Sequence, residues 1–120
     1  MDPIQVRSFH AILYCRNWDA CVAFYTGVLG FGVADSRNGF VEVQVNPASR
    51  IGLIRRPPES CPEDPAAAVV LTFLVEDLDG ARAAVASRWG RVSTVRRHPW
   101  GARLFDLKDP DGRRLEVWTG

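Results

Sequence analysis

The chain has 120 residues, 47% apolar and 24% charged, with a formal net charge of +1. That length supports one hydrophobic core, so a single domain over 1–120 is expected, and the composition excludes long disorder. A charge so near zero gives no general attraction for nucleic acid or an anionic membrane, and no apolar run is long enough to span a bilayer.

The first residues, MDPIQVRSFH, lack the basic-then-apolar pattern of a signal peptide. Residues 8–14, SFHAILY, form a short apolar run rich in strand formers. Asn17 is placed to cap a helix in which Cys21, Phe24, Tyr25 and Val28 recur at three- and four-residue spacing, and Gly30 closes it. FGVADS, a turn at Asn38-Gly39 and FVEVQV predict a hairpin; Asn46-Pro47 breaks it, and IGLIRR comes next as another strand. Residues 57–68, PPESCPEDPAAA, carry four prolines without periodicity and read as a linker.

After the linker the pattern restarts. Residues 69–75 form an apolar strand. Asp77 or Asp79 caps a helix carrying Leu78, Ala81, Val85 and Trp89, with Gly90 at its end. RVSTV, ARLFDLK, the turn DPDG and RRLEVW predict three more strands. The three cysteines, Cys15, Cys21 and Cys61, form no C-x-x-C and are odd in number. They argue against a disulfide framework or a zinc ribbon and, with the absent leader pattern, for a reduced cytoplasmic setting. The doubled arginines Arg55-Arg56, Arg96-Arg97 and Arg113-Arg114 read as solvated surface or turns.

The halves overlay. An offset of 60 places Cys15 on Val75, Trp18 on Leu78, Leu29 on Trp89 and Gly30 on Gly90. An offset of 64 places Glu42 on Asp106, Ile51 on Leu115 and Gly52 on Glu116. The change of offset requires four extra residues before Leu104, near His98-Pro99-Trp100-Gly101. Such a repeat means a duplicated strand–helix–three-strand unit.

NWDACVAFYTGVLGFGV (17–33), VEDLDGARAAV (75–85) and HPWGARLFDLKDPDGRRLEVW (98–118) resemble the vicinal oxygen chelate superfamily of glyoxalases, bleomycin-resistance proteins and extradiol dioxygenases. The resemblance implies an α+β fold of two βαβββ modules, about 6–56 and 69–120, with mostly antiparallel cup-shaped sheets. Paired cups enclose a cavity, commonly at a dimer interface, so a homodimer with a small-molecule ligand is expected. Enzymes of the family hold a divalent metal through the first and last strands of the modules. The matching positions here are His10, Gly52, Val70 and Glu116. Only His10 and Glu116 can ligate, whereas a catalytic ion normally takes about three protein ligands. Unless Glu42, Asp106 or a neighbouring chain adds a third, no tightly held cofactor is expected; Thr72 would be a poor substitute. His10 paired with Glu116 in a plain hydrogen bond is the competing reading.

With His10 and Glu116 facing into the cups, period-two alternation adds Ile12, Tyr14, Phe40, Glu42, Gln44, Leu104, Asp106 and Trp118. The opposite faces carry Phe9, Ala11, Leu13, Val41, Val43, Val45, Phe105, Leu107, Leu115 and Val117, all apolar. Aromatics mixed with carboxylates suit a ligand cavity, and a water-facing sheet is the plainer alternative. Trp100 either plugs the space between modules or stacks on a ligand at the rim. Three functions are open. One is binding of a planar aromatic, cationic or neutral, such as an antibiotic by Tyr14, Phe40, Glu42, Trp100, Asp106 and Trp118. The second is a metal-dependent lyase, isomerase or dioxygenase centred on His10 and Glu116. The third is a metal-free enzyme using His10 and Glu116 as an acid/base pair.

Overall fold

The computed structural model describes residues 4, 5, 7, 9–56, 69–99 and 101–120, for Phe9 the backbone only. The expected linker 57–68 and Trp100 lie outside the described residues. The chain divides into two compact units, Met1–Pro58 and Glu59–Gly120.

In the first unit β1 (Phe9–Cys15) leads into α1 (Trp18–Ala23), a π-helical turn (Phe24–Val28), β2 (Gly32–Arg37), β3 (Phe40–Asn46) and β4 (Ser49–Arg55). The sheet order is β1-β4-β3-β2, with β1 parallel to β4 and the other neighbours antiparallel. Cys21, Phe24 and Tyr25 are buried as the helical spacing requires. Val28 is only half-buried, because the wider π turn, closed by the Leu29 amide on the Phe24 carbonyl at 3.1 Å, rotates it away from the face that Cys21 and Phe24 share. The Asn17 side chain makes no capping bond. Its backbone, at φ −98° and ψ 65°, leaves the extended region from which such a side chain reaches the helix amides. The helix start is held instead by Trp18, whose Nε1 donates to the Leu53 carbonyl at 2.9 Å. Gly30 and Gly39 take left-handed φ of 78° and 76°, ending the helix and closing the β2–β3 turn.

In the second unit β5 (Leu71–Leu74), α2 (Leu78–Ala86), β6 (Arg96–Arg97), β7 (Arg103–Lys108) and β8 (Arg114–Thr119) form the sheet β5-β8-β7-β6, with β5 parallel to β8. Asp77 is the cap, its Oδ1 accepting the Gly80 amide at 3.0 Å. Three expectations change. The strand expected over 69–75 regularises only from Leu71. The helix ends at Ala86, before Trp89, and Gly90 is not left-handed. Residues 91–95 make a single bridge, Val92 to Leu107, in place of a strand. There the Ser93 Oγ accepts the Asp106 amide at 2.9 Å, so a side chain takes the place of a ladder carbonyl and the ladder stops.

The two offsets hold in the hydrogen-bond register. Phe40↔Ile54, Glu42↔Gly52 and Gln44↔Arg50 in one unit match Leu104↔Trp118, Asp106↔Glu116 and Lys108↔Arg114 in the other. In the parallel pairs, Ala11↔Ile51 and Ile12↔Gly52 match Leu71↔Leu115 and Thr72↔Glu116. The extra residues fall between β6 and β7. Alternation sorts the faces as expected. Leu13, Val41, Val43, Phe105, Leu107, Leu115 and Val117 are buried, while Ala11 and Val45 are half-buried. Leu104, assigned to the other face, is also buried.

Candidate functional site

On the polar face of the first sheet, His10 from β1, Glu42 from β3 and Arg50 from β4 form one cluster. His10 Nδ1 lies 3.3 Å from Glu42 Oε2, and Arg50 Nη1 donates to Glu42 Oε1 at 3.0 Å. Strand alternation puts all three side chains on one side, and the diagonal from Gln44↔Arg50 to Glu42↔Gly52 brings Arg50 within reach of Glu42. Farther along β1, Ile12 and Tyr14 are 52% and 48% exposed. The Arg56 guanidinium sits 4.3 Å from the Tyr14 ring centre. Gly52 is buried although it lies on this face. A Cβ there would meet Phe40 Cε2 at 3.0 Å, Cζ at 3.3 Å and Ile12 Cγ1 at 3.4 Å. The Phe40 ring therefore occupies the space that a side chain at 52 would need.

The second sheet repeats the arrangement with more charge. Asp106 Oδ2 accepts from Arg96 in a short charged bond and from Arg114 at 3.1 Å. Arg114 also pairs with Glu116 at 3.0 Å. Burial alone would raise the Asp106 pKa, but the bonds to Arg96 and Arg114 outweigh it and hold the carboxyl below its ordinary range. Asp106 thus stays ionised. The half-buried Trp118 lies on the same face as Glu116, opposite Leu104.

The structure places Glu42 with His10 in one unit and Asp106 with Glu116 in the other. Each of the two candidate metal residues has a partner inside its own unit: Glu42 for His10 and Arg114 for Glu116. The residues that sequence reasoning missed are Arg50, Arg96 and Arg114. A signal existed for two of them, since the offset that overlays Glu42 on Asp106 also overlays Arg50 on Arg114. The two units thus repeat a cross-strand carboxylate–arginine pair.

The sequence profile described as Glyoxalase/Bleomycin resistance protein/Dioxygenase superfamily matches residues 7–117. The chain belongs to this superfamily. Among solved structures of the same fold is a lactoylglutathione lyase from Agrobacterium tumefaciens, 21% identical, covering 98% of this chain and 96% of that one at a TM-score of 0.74. A glyoxalase/bleomycin resistance protein/dioxygenase from Nocardioides is 20% identical, with 98% and 85% covered and a TM-score of 0.80. A bleomycin resistance determinant encoded on the transposon Tn5 is 21% identical, with 96% and 98% covered and a TM-score of 0.76. At these identities the likeness is one of fold. A search of the curated proteins finds no match.

The residues at the metal-bearing positions of the glyoxalase superfamily do not fit a divalent ion within either unit. Gly52 offers no donor and lies under Phe40. Val70 offers none and precedes the first residue of β5. Thr72, directly across from Glu116, brings only a neutral hydroxyl.

Proposed function

We propose that this member of the glyoxalase and bleomycin-resistance superfamily is a small-molecule-binding protein whose sheet faces take a planar aromatic ligand without a tightly bound metal. The observation that carries this reading is the Phe40 ring on Gly52, which fills a metal-ligand position with aromatic surface. Tyr14, half exposed, and Trp118, across from the buried Leu104, supply further ring faces on the polar sides of their sheets. Trp100 is proposed as an additional stacking residue. Glu42, Asp106 and Glu116 act through the arginines they hold, which orient charge around the rings. The proposal includes a homodimer in the cytoplasm, a second copy being the partner that the family habit suggests.

The test is isothermal titration of the chain with a panel of planar aromatic compounds, repeated with Trp118→Ala. Binding that weakens in the variant while the melting temperature changes little supports the reading. Unfolding of Trp118→Ala, with no compound bound by the wild type, would sink it. Metal analysis of protein purified without chelator or affinity metal decides the metal-dependent function. A stoichiometric ion lost in both His10→Ala and Glu116→Ala would put a metal-dependent lyase, isomerase or dioxygenase in its place.

A further inference from the structure

Within the second unit a cleft of about 900 Å³ opens at the Lys108–Arg114 end of the β7–β8 hairpin and runs onto the segment beyond the end of α2. That volume is in the range of small-molecule sites. Trp89 and Pro110 give it apolar wall. Two carboxylates line it, and both are engaged. Asp109 is 4% exposed; its Oδ2 accepts from Arg113 at 2.7 Å, and its Oδ1 accepts the amides of Asp111 and Arg113, each at 2.9 Å. Asp106 is held by Arg96 and Arg114. Two cations, Arg91 and Lys108, also line the cleft and are exposed, and among the described residues neither has an ion-pair partner. The carboxylates are neutralised from within the fold while these cations have no such partner among the described residues, so the cleft presents positive potential beside apolar surface.

From this we infer that the cleft binds a planar aromatic carboxylate, its anion on Arg91 and Lys108 and its ring against Trp89 and Pro110. A cationic ligand would meet no free carboxylate there; it would have to displace an arginine from Asp106 or Asp109. The cleft borders the polar face of the second sheet at Asp106 and Arg114, but its proposed ring and anion contacts use side chains other than Tyr14, Phe40 and Trp118.

The test is titration calorimetry of the full chain with three probes that share one ring system: 2-naphthoate, 2-naphthamide and 2-naphthylmethylammonium. Naphthoate should bind tightest, and its affinity should fall as salt screens the cations. Arg91→Gln and Lys108→Gln should each weaken it roughly tenfold, the scale of losing one charge-assisted hydrogen bond. Arg37→Gln, which removes an exposed ion pair on the first sheet away from both sites, should leave naphthoate binding unchanged. Equal or tighter binding of the amide or the ammonium probe overturns the inference, as does naphthoate binding indifferent to both cation variants, or none at all. Binding of all three probes that vanishes in Trp118→Ala but survives in Lys108→Gln would keep the sheet-face reading and remove the cleft. Naphthoate binding weakened in Lys108→Gln and kept in Trp118→Ala places the probe in the cleft and leaves the sheet faces to be tested by the other compounds of their panel.

Discussion

Gly52→Ala tests whether the Phe40 ring fills the place of a missing side chain. The added Cβ would lie 3.0 Å from Phe40 Cε2, so the half-buried ring must give by a few tenths of an ångström against its cross-strand neighbour Ile54. Overpacking of this kind costs about 1–3 kcal/mol. Replacing glycine by alanine returns about 0.4–1 kcal/mol by restricting the unfolded chain. A net loss of about 1 kcal/mol is expected, a fall in Tm of about 3–5 °C for a domain of this size. Urea denaturation of wild type, Gly52→Ala, Phe40→Ala and the double variant would give the coupling energy directly. In the Phe40→Ala background the alanine should cost nothing, or even stabilise. If Gly52→Ala is equally destabilising with and without Phe40, the ring is not what excludes a side chain at 52, and its place on Gly52 no longer speaks against a metal.

Gly80→Ala should destabilise despite alanine's better helix propensity, because its Cβ would stand 2.2 Å from Asp77 Oδ2 and eject the cap; with Asp77→Ala expected to cost about 1 kcal/mol, thermal melts of both variants check this. Removing one member of the buried Asp109–Arg113 pair, as in Arg113→Met, should cost about 3–5 kcal/mol by denaturant unfolding, since the other charge is stranded. For Asp106 the folded pKa is depressed, so its contribution is full above the unfolded carboxylate range and lost as pH falls through the folded value. Tm should therefore decline as pH falls through and below the ordinary carboxylate range, and Asp106→Asn should flatten that decline. Light scattering at micromolar concentration should give the mass of a dimer; a folded monomer would count against the assembly proposed above.

Much of the fold was legible because burial is periodic. Val41, Val43, Leu115 and Val117 alternate with polar neighbours, and only one strand register keeps all of them off the solvent. The duplication was legible for the same reason, and its offsets survive in the bonded pairs. The π turn was not, since Cys21, Phe24 and Tyr25 fit a continuous α-helix equally well. Ser93 was missed because a hydroxyl that replaces a backbone acceptor leaves no trace in hydrophobicity. Arg113 was read as surface, yet it is 3% exposed, because Asp109 in the same turn neutralises it. At the candidate site, alternation found the carboxylates and rings but not their partners. A guanidinium reaches diagonally across a strand, and period-two reasoning registers only which face a residue is on.

The stop at Ser93 leaves the two sheets with unlike outer borders. β2 offers six residues of strand backbone along its margin, kinked by a bulge between Val33 and Asp35 and flanked by the Asp35–Arg37 ion pair. β6 offers two. A foreign strand adding to a sheet needs a continuous row of unmet amides and carbonyls, and the β6 margin is too short to template one. One serine thereby shields that side of the second sheet from strand addition, a task that elsewhere falls to edge lysines, prolines or a covering helix. At the first sheet's β2 margin the kink and the charges oppose unwanted growth.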